Sequence, residues 1–554
     1  MNAAWWLNSS WMLRCGGEAR AFDRATGRVA ATQAEVLAAI LRRNRDTEFG
    51  RKHGLSQLDG PRAYQDRVPL SRYDDYADAI RRIGEGERGV LTRDPVELLE
   101  PTSGSTGGEK LIPFTASLRQ QFQRAVSAWV FDLFRHRPAL RQGRAYWSIS
   151  PAVAAGRRTA CGIRIGFEDD AAYLGAAQRW LIQCLQVVPP GVCRLSDVVS
   201  FQYCTLWFLL HAADLTSISV WNPTFLTALL APLEAWHDRL CFDLRRGRPE
   251  PPDPLPPELS SQFAARAAGQ RAEELQTIFR RDLPWLEKLR LIWPKLALIS
   301  CWADAGASRY YEELQSLFPT VEFQPKGLLA TEGCVSLPLL GRPGAALAVR
   351  SHFFEFQPVD APHEIRLAHE LEPGGHYGVI LTTGGGLYRY ELRDEIEVVG
   401  FENQCPLLRF LGKADCISDM VGEKLSEPHV RTVLQALFEQ HHIRPTFALL
   451  VSADSRPPRY RLYLQVPTLE VTAPLWGDLA AELDCRLGEN PHYAYARRLG
   501  QLAPVEVFSL PPHGESGWAI YRRECVARGM RWGDIKPLLL DPRPGWPAVF
   551  ETFV

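Results

Sequence analysis

The chain predicts a two-part α/β protein: a large α/β domain carrying a β-subdomain, followed by a small α+β domain. Three observations predict it. The segment 296–306 (LALISCWADAG) reads as a buried strand entering a small-residue turn, with a helix over 308–317 and a strand near 321–323. Residues 377–399 read as a hairpin, YGVILTT and LYRYELRDEIEVV around the turn Gly384–Gly386. After Gly412 the pattern changes to shorter, mixed elements.

Length supports this division. At 554 residues the chain exceeds what one hydrophobic core organises. With 46% hydrophobic and 23% charged residues it can bury a sizeable core. Lys plus Arg (63) nearly cancels Asp plus Glu (64), so no global field draws in nucleic acid or an anionic membrane, and any anionic ligand must be held locally. The twelve cysteines are scattered without a CxxC pair or a neighbouring His at ligand spacing. They read as reduced thiols of a cytoplasmic protein rather than a zinc site or disulfide framework.

Along the chain, MNAAWWLNSSWMLR lacks the basic start and continuous apolar run of a signal peptide and suits an interfacial or packing helix. Residues 33–45 and 115–135 have helical spacing. The apolar window Val198–Ala213 is shorter than a membrane span and contains Ser200, Gln202, Thr205 and His211, as expected of a buried helix. Its aromatics, among them Tyr203 and Trp207, either line an acyl pocket or pack the core. Six prolines within 249–257 predict an extended surface loop, an insertion inside one domain. In the hairpin, Tyr388, Tyr390 and Leu392 alternate with Arg389, Glu391 and Arg393, giving one apolar and one charged face. The small domain is expected to have strands near 446–451, 459–466 and 504–510 and helices near 427–439, 474–487 and 516–528. The boundary is placed so that 1–412 form the large domain and 413–554 the small one.

The chemistry is concentrated in PTSGSTGGEKLIP at 101–113. Its glycines let backbone N–H groups approach a polyphosphate, its hydroxyls add donors, and Lys110 adds a point charge. It is not a Walker loop, because Glu109 separates Gly108 from Lys110 and Leu111 stands where Ser or Thr is required. A surface turn is the alternative reading.

TSGSTGGEK resembles the phosphate-loop signature of the adenylate-forming superfamily of acyl-CoA synthetases, peptide-synthetase adenylation domains and luciferases. Ala330-Thr331-Glu332-Gly333 resembles the motif whose glutamate coordinates the magnesium of ATP, and Tyr390–Asp394 the one whose aspartate binds the ribose hydroxyls. LGKADCISDMVGEKL at 411–425 resembles the interdomain hinge. LIPFT, KGLLATEG, FFEF, GLYRYELRDEIEVVGF and GDIKP narrow the resemblance to the Gretchen Hagen (auxin-responsive) acyl acid amido synthetases and their bacterial relatives, from about residue 33 onward.

That resemblance implies the adenylate-forming fold with a mobile small domain, and an enzyme that joins a small carboxylic acid to an amine, expected to be an amino acid, through an acyl-AMP. It implies ATP and Mg2+ as cofactors. Ser103, Gly104, Ser105, Thr106, Gly107, Gly108, Thr331, Tyr390 and Asp394 would bind ATP, and Lys110, Glu332 and Lys536 would be catalytic, Glu332 holding the metal. Gly412, Lys413 and Asp415 would form the hinge. A monomer without nucleic-acid or membrane partners is expected. Transfer to coenzyme A or a carrier-protein thiol, and a sensor that binds without turnover, are the rival functions. The chain departs from the pattern at several points: Leu328 and Leu329 stand where many members have Tyr and Gly, Glu391 and Arg393 replace Arg and Gly, and Lys413 replaces the hinge arginine.

Overall fold

The computed structural model describes residues 2–102, 110–148, 157–166, 176–195, 197–413, 417–421, 423–467, 473–530 and 532–553. The chain forms two compact units, one comprising Met1–Thr102, Glu109–Leu392 and Ile396–Phe410, the other Arg393–Glu395 with Leu411–Val554.

The first unit begins with the helix Ala3–Thr26, where Asn2 caps the first turn by accepting the Trp5 N–H. Trp11 is buried on its inner face, 5.9 Å from the ring of Phe134. The helix Ala116–His136 is capped by Thr115, whose hydroxyl accepts the Leu118 N–H. The expected strand–helix–strand unit is Leu298–Cys301, Ser308–Leu317 and Glu322–Pro325. Its strands complete a four-stranded parallel sheet with Arg144–Trp147 and Leu215–Ser219, in the order Arg144–Trp147, Leu215–Ser219, Leu298–Cys301, Glu322–Pro325. The helix Val198–His211 buries residues on every side, including Phe201, Tyr203, Leu206 and Trp207, as its all-round apolar sequence requires. Among the described residues no helix is long and apolar enough to cross a membrane.

The hairpin strands are His376–Thr382 and Tyr390–Glu402, neighbours in a seven-stranded sheet. Phe353–Pro358 pairs antiparallel with His376–Thr382, Phe353 opposite Thr382, and buries Phe353, Phe354 and Phe356. The charged face expected beside Tyr388 and Tyr390 differs in one respect. Arg389 is buried rather than solvated, because Glu355 faces it at 3.0 Å and the Val68 carbonyl accepts from its guanidinium at 2.7 Å.

The second unit has a four-stranded sheet in the order Glu506–Leu510, Arg459–Gln465, Phe447–Ala453, Leu540–Asp541. Its central pair is antiparallel, and both outer strands are parallel to their neighbours. The helices Glu427–Gln440, Ala473–Leu487 and Gly517–Ala527 fall where the sequence puts them, and an additional helix spans Pro491–Arg498.

Candidate active site

The centre of the site is a tight reversal after the strand Glu322–Pro325. Ala330 and Gly333 exchange backbone hydrogen bonds of 3.0 and 3.2 Å, and Leu329 bridges Cys334, so Thr331 and Glu332 are the two half-buried tip residues of a small hairpin. Gly333 is required there: a Cβ would lie 2.8 Å from Nε2 of His352. That imidazole is fully buried. Its Nε2 accepts the Cys334 N–H at 3.0 Å, so the proton sits on Nδ1, which donates to Oε1 of Gln121 at 3.1 Å. The same oxygen accepts the Gly384 N–H at 2.8 Å, tying the acidic turn to the glycine turn of the hairpin. Burial, reinforced by the nearby Arg124 charge, pushes the imidazole down to about 3, so it stays neutral.

Tyr390 donates to Oε1 of Glu332 over a long 3.5 Å. The residue before it, Arg389, has φ +48°, a conformation held by its pairing with Glu355 and by its backbone carbonyl, which accepts from Ser71 N–H at 3.0 Å. Glu391, where the resemblance expects Arg, faces Arg72 at 2.6 Å. Leu328, at the expected tyrosine position, is buried and donates its N–H to Oγ of Ser336 at 2.9 Å.

In the second unit Asp394 is buried and lies 2.9 Å from Nζ of the half-exposed Lys413, a contact of charges rather than an aligned hydrogen bond. Gly412 could not carry a side chain, since a Cβ would stand 2.8 Å from Cγ of Pro428. Lys536 is exposed beside the buried Ile535. In the first unit the Lys110 ammonium stands 6.0 Å from the centre of the Tyr73 ring, and the Tyr73 hydroxyl accepts the Leu111 N–H at 2.9 Å. Ser103, Gly104, Ser105, Thr106, Gly107, Gly108 and Asp415 lie outside the described residues.

A cavity of about 120 Å³ opens against the base of the acidic turn, where Leu329 and Cys334 form part of its wall. Its other walls include Trp147, Trp221 and Lys326, at or just past the carboxyl ends of the parallel strands, and Phe122 and Trp129 from the helix Ala116–His136. Tyr203 and Trp207 do not line it. The Tyr203 hydroxyl donates to Asp243 at 2.8 Å, and Trp207 is wholly buried with its ring 4.9 Å from that of Phe208, so both take the packing alternative. Lys326, Trp129, Trp147, Trp221 and His352 were given no role by sequence. Only Lys326 lies within a quoted motif, KGLLATEG.

Three successive stretches match domain descriptions of one family: the GH3 family N-terminal domain over residues 18–323, the central domain over 345–413 and the C-terminal domain over 428–541. Relatives include the indole-3-acetic acid-amido synthetase GH3.15 of Arabidopsis thaliana, 25% identical over 80% of this chain and 78% of that protein. Another is the indole-3-acetic acid-amido synthetase GH3.8 of Oryza sativa subsp. indica, 24% identical over 89% of this chain and 86% of that protein. The fold matches that of a GH3.15 acyl acid amido synthetase solved with 2,4-DB, with a TM-score of 0.80 at 20% identity over 98% of this chain and 96% of that one. The fold is thereby that of the solved acyl acid amido synthetase, and the chain belongs to the GH3 family.

Proposed function

We propose that this GH3 chain is an ATP-dependent acyl acid amido synthetase that adenylates a small carboxylic acid and passes the acyl group to an amine, the amine of an amino acid being the expected acceptor. The observation that carries this reading is the position of the Glu332 turn, with Tyr390 against its carboxylate and an indole-lined cavity against its base. An acid held in that cavity has its carboxyl directed towards the turn.

In the first step a carboxylate oxygen attacks the α-phosphorus of ATP and pyrophosphate leaves. In the second the amine nitrogen attacks the acyl carbon, AMP leaves and the nitrogen loses a proton. Glu332 is a fitting holder for magnesium, a hard cation commonly bound by one or two carboxylates together with substrate phosphates. Bound magnesium would neutralise charge growing on those phosphates. Residues 103–108 and Lys110 would hold the phosphates in line, and the Asp394 carboxylate would take the ribose hydroxyls, competing with Lys413 for its oxygen. Gly412, Lys413 and Asp415 would act as the hinge at the boundary between 1–412 and 413–554, and Lys536 as a cation recruited for adenylation.

The test is acid-dependent exchange of pyrophosphate into ATP, followed by product analysis with amino acids or coenzyme A. Magnesium-dependent exchange and an amide product are expected. A thioester would reassign the acceptor, and ATP binding without exchange across a broad acid panel would leave a sensor.

A further inference from the structure

The indole-lined cavity has a neighbour on the same face of the parallel sheet. Trp147, Ser219, Ser300 and Gln324 stand opposite one another on four adjacent strands and form one row across the sheet. Past that row, Ser148, Trp221 and Lys326 line the cavity of about 120 Å³ beside the acidic turn. Ahead of it, Ala145, Thr216 and Leu298 line an inner cavity of about 50 Å³. Trp129, Trp147 and Ser219 line both.

The two indoles meet between sheet and helix at this row. Trp147 belongs to the strand Arg144–Trp147 and Trp129 to the helix Ala116–His136, and their ring centres are 6.1 Å apart. Trp129 is fixed, because its Nε1–H donates to Oε1 of Gln324 at 2.9 Å and the Lys326 ammonium lies 5.5 Å from its ring centre. Trp147 is backed by Trp11, whose ring lies 5.9 Å away. The helix that carries Trp11 is pinned beside this strand, since Nδ2 of Asn8 donates to the Gly143 carbonyl at 2.9 Å. Asn8 and Trp11 line the inner cavity, and both precede the stretch that matches the family's N-terminal domain. Side chains packed on both sides in this way yield little to an incoming ligand.

We infer that Trp129 and Trp147 are specificity-determining residues that limit the length of the acid: they wall off the inner cavity, and trimming either indole joins the two spaces into one pocket for longer apolar acids. An apolar cavity of roughly 150 Å³ takes a single benzene ring, so the outer space alone suits a body of about one ring. An occupant that fills it meets this wall whichever way its carboxyl points, because both indoles line that space. The inference rests on the adenylation reading only in placing an acid in this cavity.

Phenylacetate, 4-phenylbutanoate and 6-phenylhexanoate test it, since each has one ring and one carboxyl and they differ only in methylenes. Binding is read without ATP by isothermal titration calorimetry, and activity by pyrophosphate exchange. Wild-type protein should bind phenylacetate at least about tenfold more tightly than 6-phenylhexanoate. In Trp147→Ala the affinity for 4-phenylbutanoate relative to phenylacetate should rise by at least about tenfold over wild type, each newly buried methylene being worth about fourfold. Trp129→Leu breaches the same wall from the helix side and should act in the same direction, so the test survives if one variant melts early. Leu133→Ala enlarges the inner cavity alone, Leu133 lining only that space, and should leave the length preference as in wild type. An unchanged preference in both tryptophan variants, a wild type that already binds the longest acid as well as the shortest, or an equal shift in Leu133→Ala overturns the inference. A length shift in binding without exchange from any of the acids would instead overturn the adenylation reading and leave this one standing. Exchange with the same length preference in wild type and both tryptophan variants would do the reverse.

Discussion

The buried imidazole of His352 accepts the backbone N–H of Cys334 at 3.0 Å, so the shape of the turn bearing Glu332 depends on a neutral side chain from a different strand connection. His352→Ala leaves that N–H buried without its acceptor, at a cost of about 1–3 kcal/mol. It also frees the turn, and pyrophosphate exchange at saturating ATP should fall by about tenfold, the scale of a misplaced catalytic group. Full exchange in a destabilised variant would make His352 purely a packing residue.

The same residue gives a pH signature. Its folded value is pushed down to about 3 from an ordinary 6.5, so its stabilising effect is full above about 6.5 and is lost as pH falls towards 3. In that window stability should drop by up to about 1.4 kcal/mol per pH unit from this group alone. His352→Gln removes the titration, so its denaturation midpoints should slope less steeply between pH 6.5 and 4 than those of the wild type. Parallel slopes would contradict the burial described.

Glu332 and Asp394 should separate kinetically if their proposed roles hold. Asp394→Ala should weaken ATP binding by about 1.5–3 kcal/mol, the worth of hydrogen bonds to a charged group. Glu332→Gln should chiefly lower the adenylation rate and raise the magnesium requirement. Wild-type kinetics for both at limiting ATP and magnesium would remove them from the nucleotide site.

Arg393 stands where the resemblance expects glycine, and its φ is +59°. The left-handed region costs a side-chain-bearing residue about 1–2 kcal/mol and glycine almost nothing. Arg393→Gly should therefore be more stable than Arg393→Ala by about 1 kcal/mol in chemical denaturation. Equal stability would mean that the strand relaxes at this point.

Lys536→Ala should slow acyl-adenylate formation by at least about tenfold. With chemically prepared acyl-AMP the variant should still form amide at close to the wild-type rate. A similar loss in both half-reactions, or in neither, would remove Lys536 from the adenylating step.

Much of this organisation could be read from periodicity and motifs. The helix Ser308–Leu317 and the strands on either side of it follow from local apolar spacing, and the hairpin from its turn residues. Tyr203 and Trp207 illustrate the limit, because a helix apolar on every side is buried on every side and leaves none for a ligand. Arg389 looked like a surface charge because its partner Glu355 lies on another strand. The helix Pro491–Arg498 carried a readable start, Asn490 as cap and Pro491 at the first position, which the neighbouring elements obscured. The indoles around Lys326 had no local signal at all: parallel pairing of distant strands brings Trp221, and the helix Ala116–His136 brings Trp129, tied to Gln324.

Trp147, Trp221 and Lys326 stand at or just beyond the ends of the parallel strands, where they give their backbones to the ladder and their side chains to the cavity. Exchanging Trp147, Trp221 or Lys326 therefore alters what the pocket admits while leaving the scaffold's ladder intact. Choice of acid is in this sense modular, open to redesign or drift one side chain at a time, whereas the turn of Glu332 is anchored by His352 and Gln121 and has little such latitude.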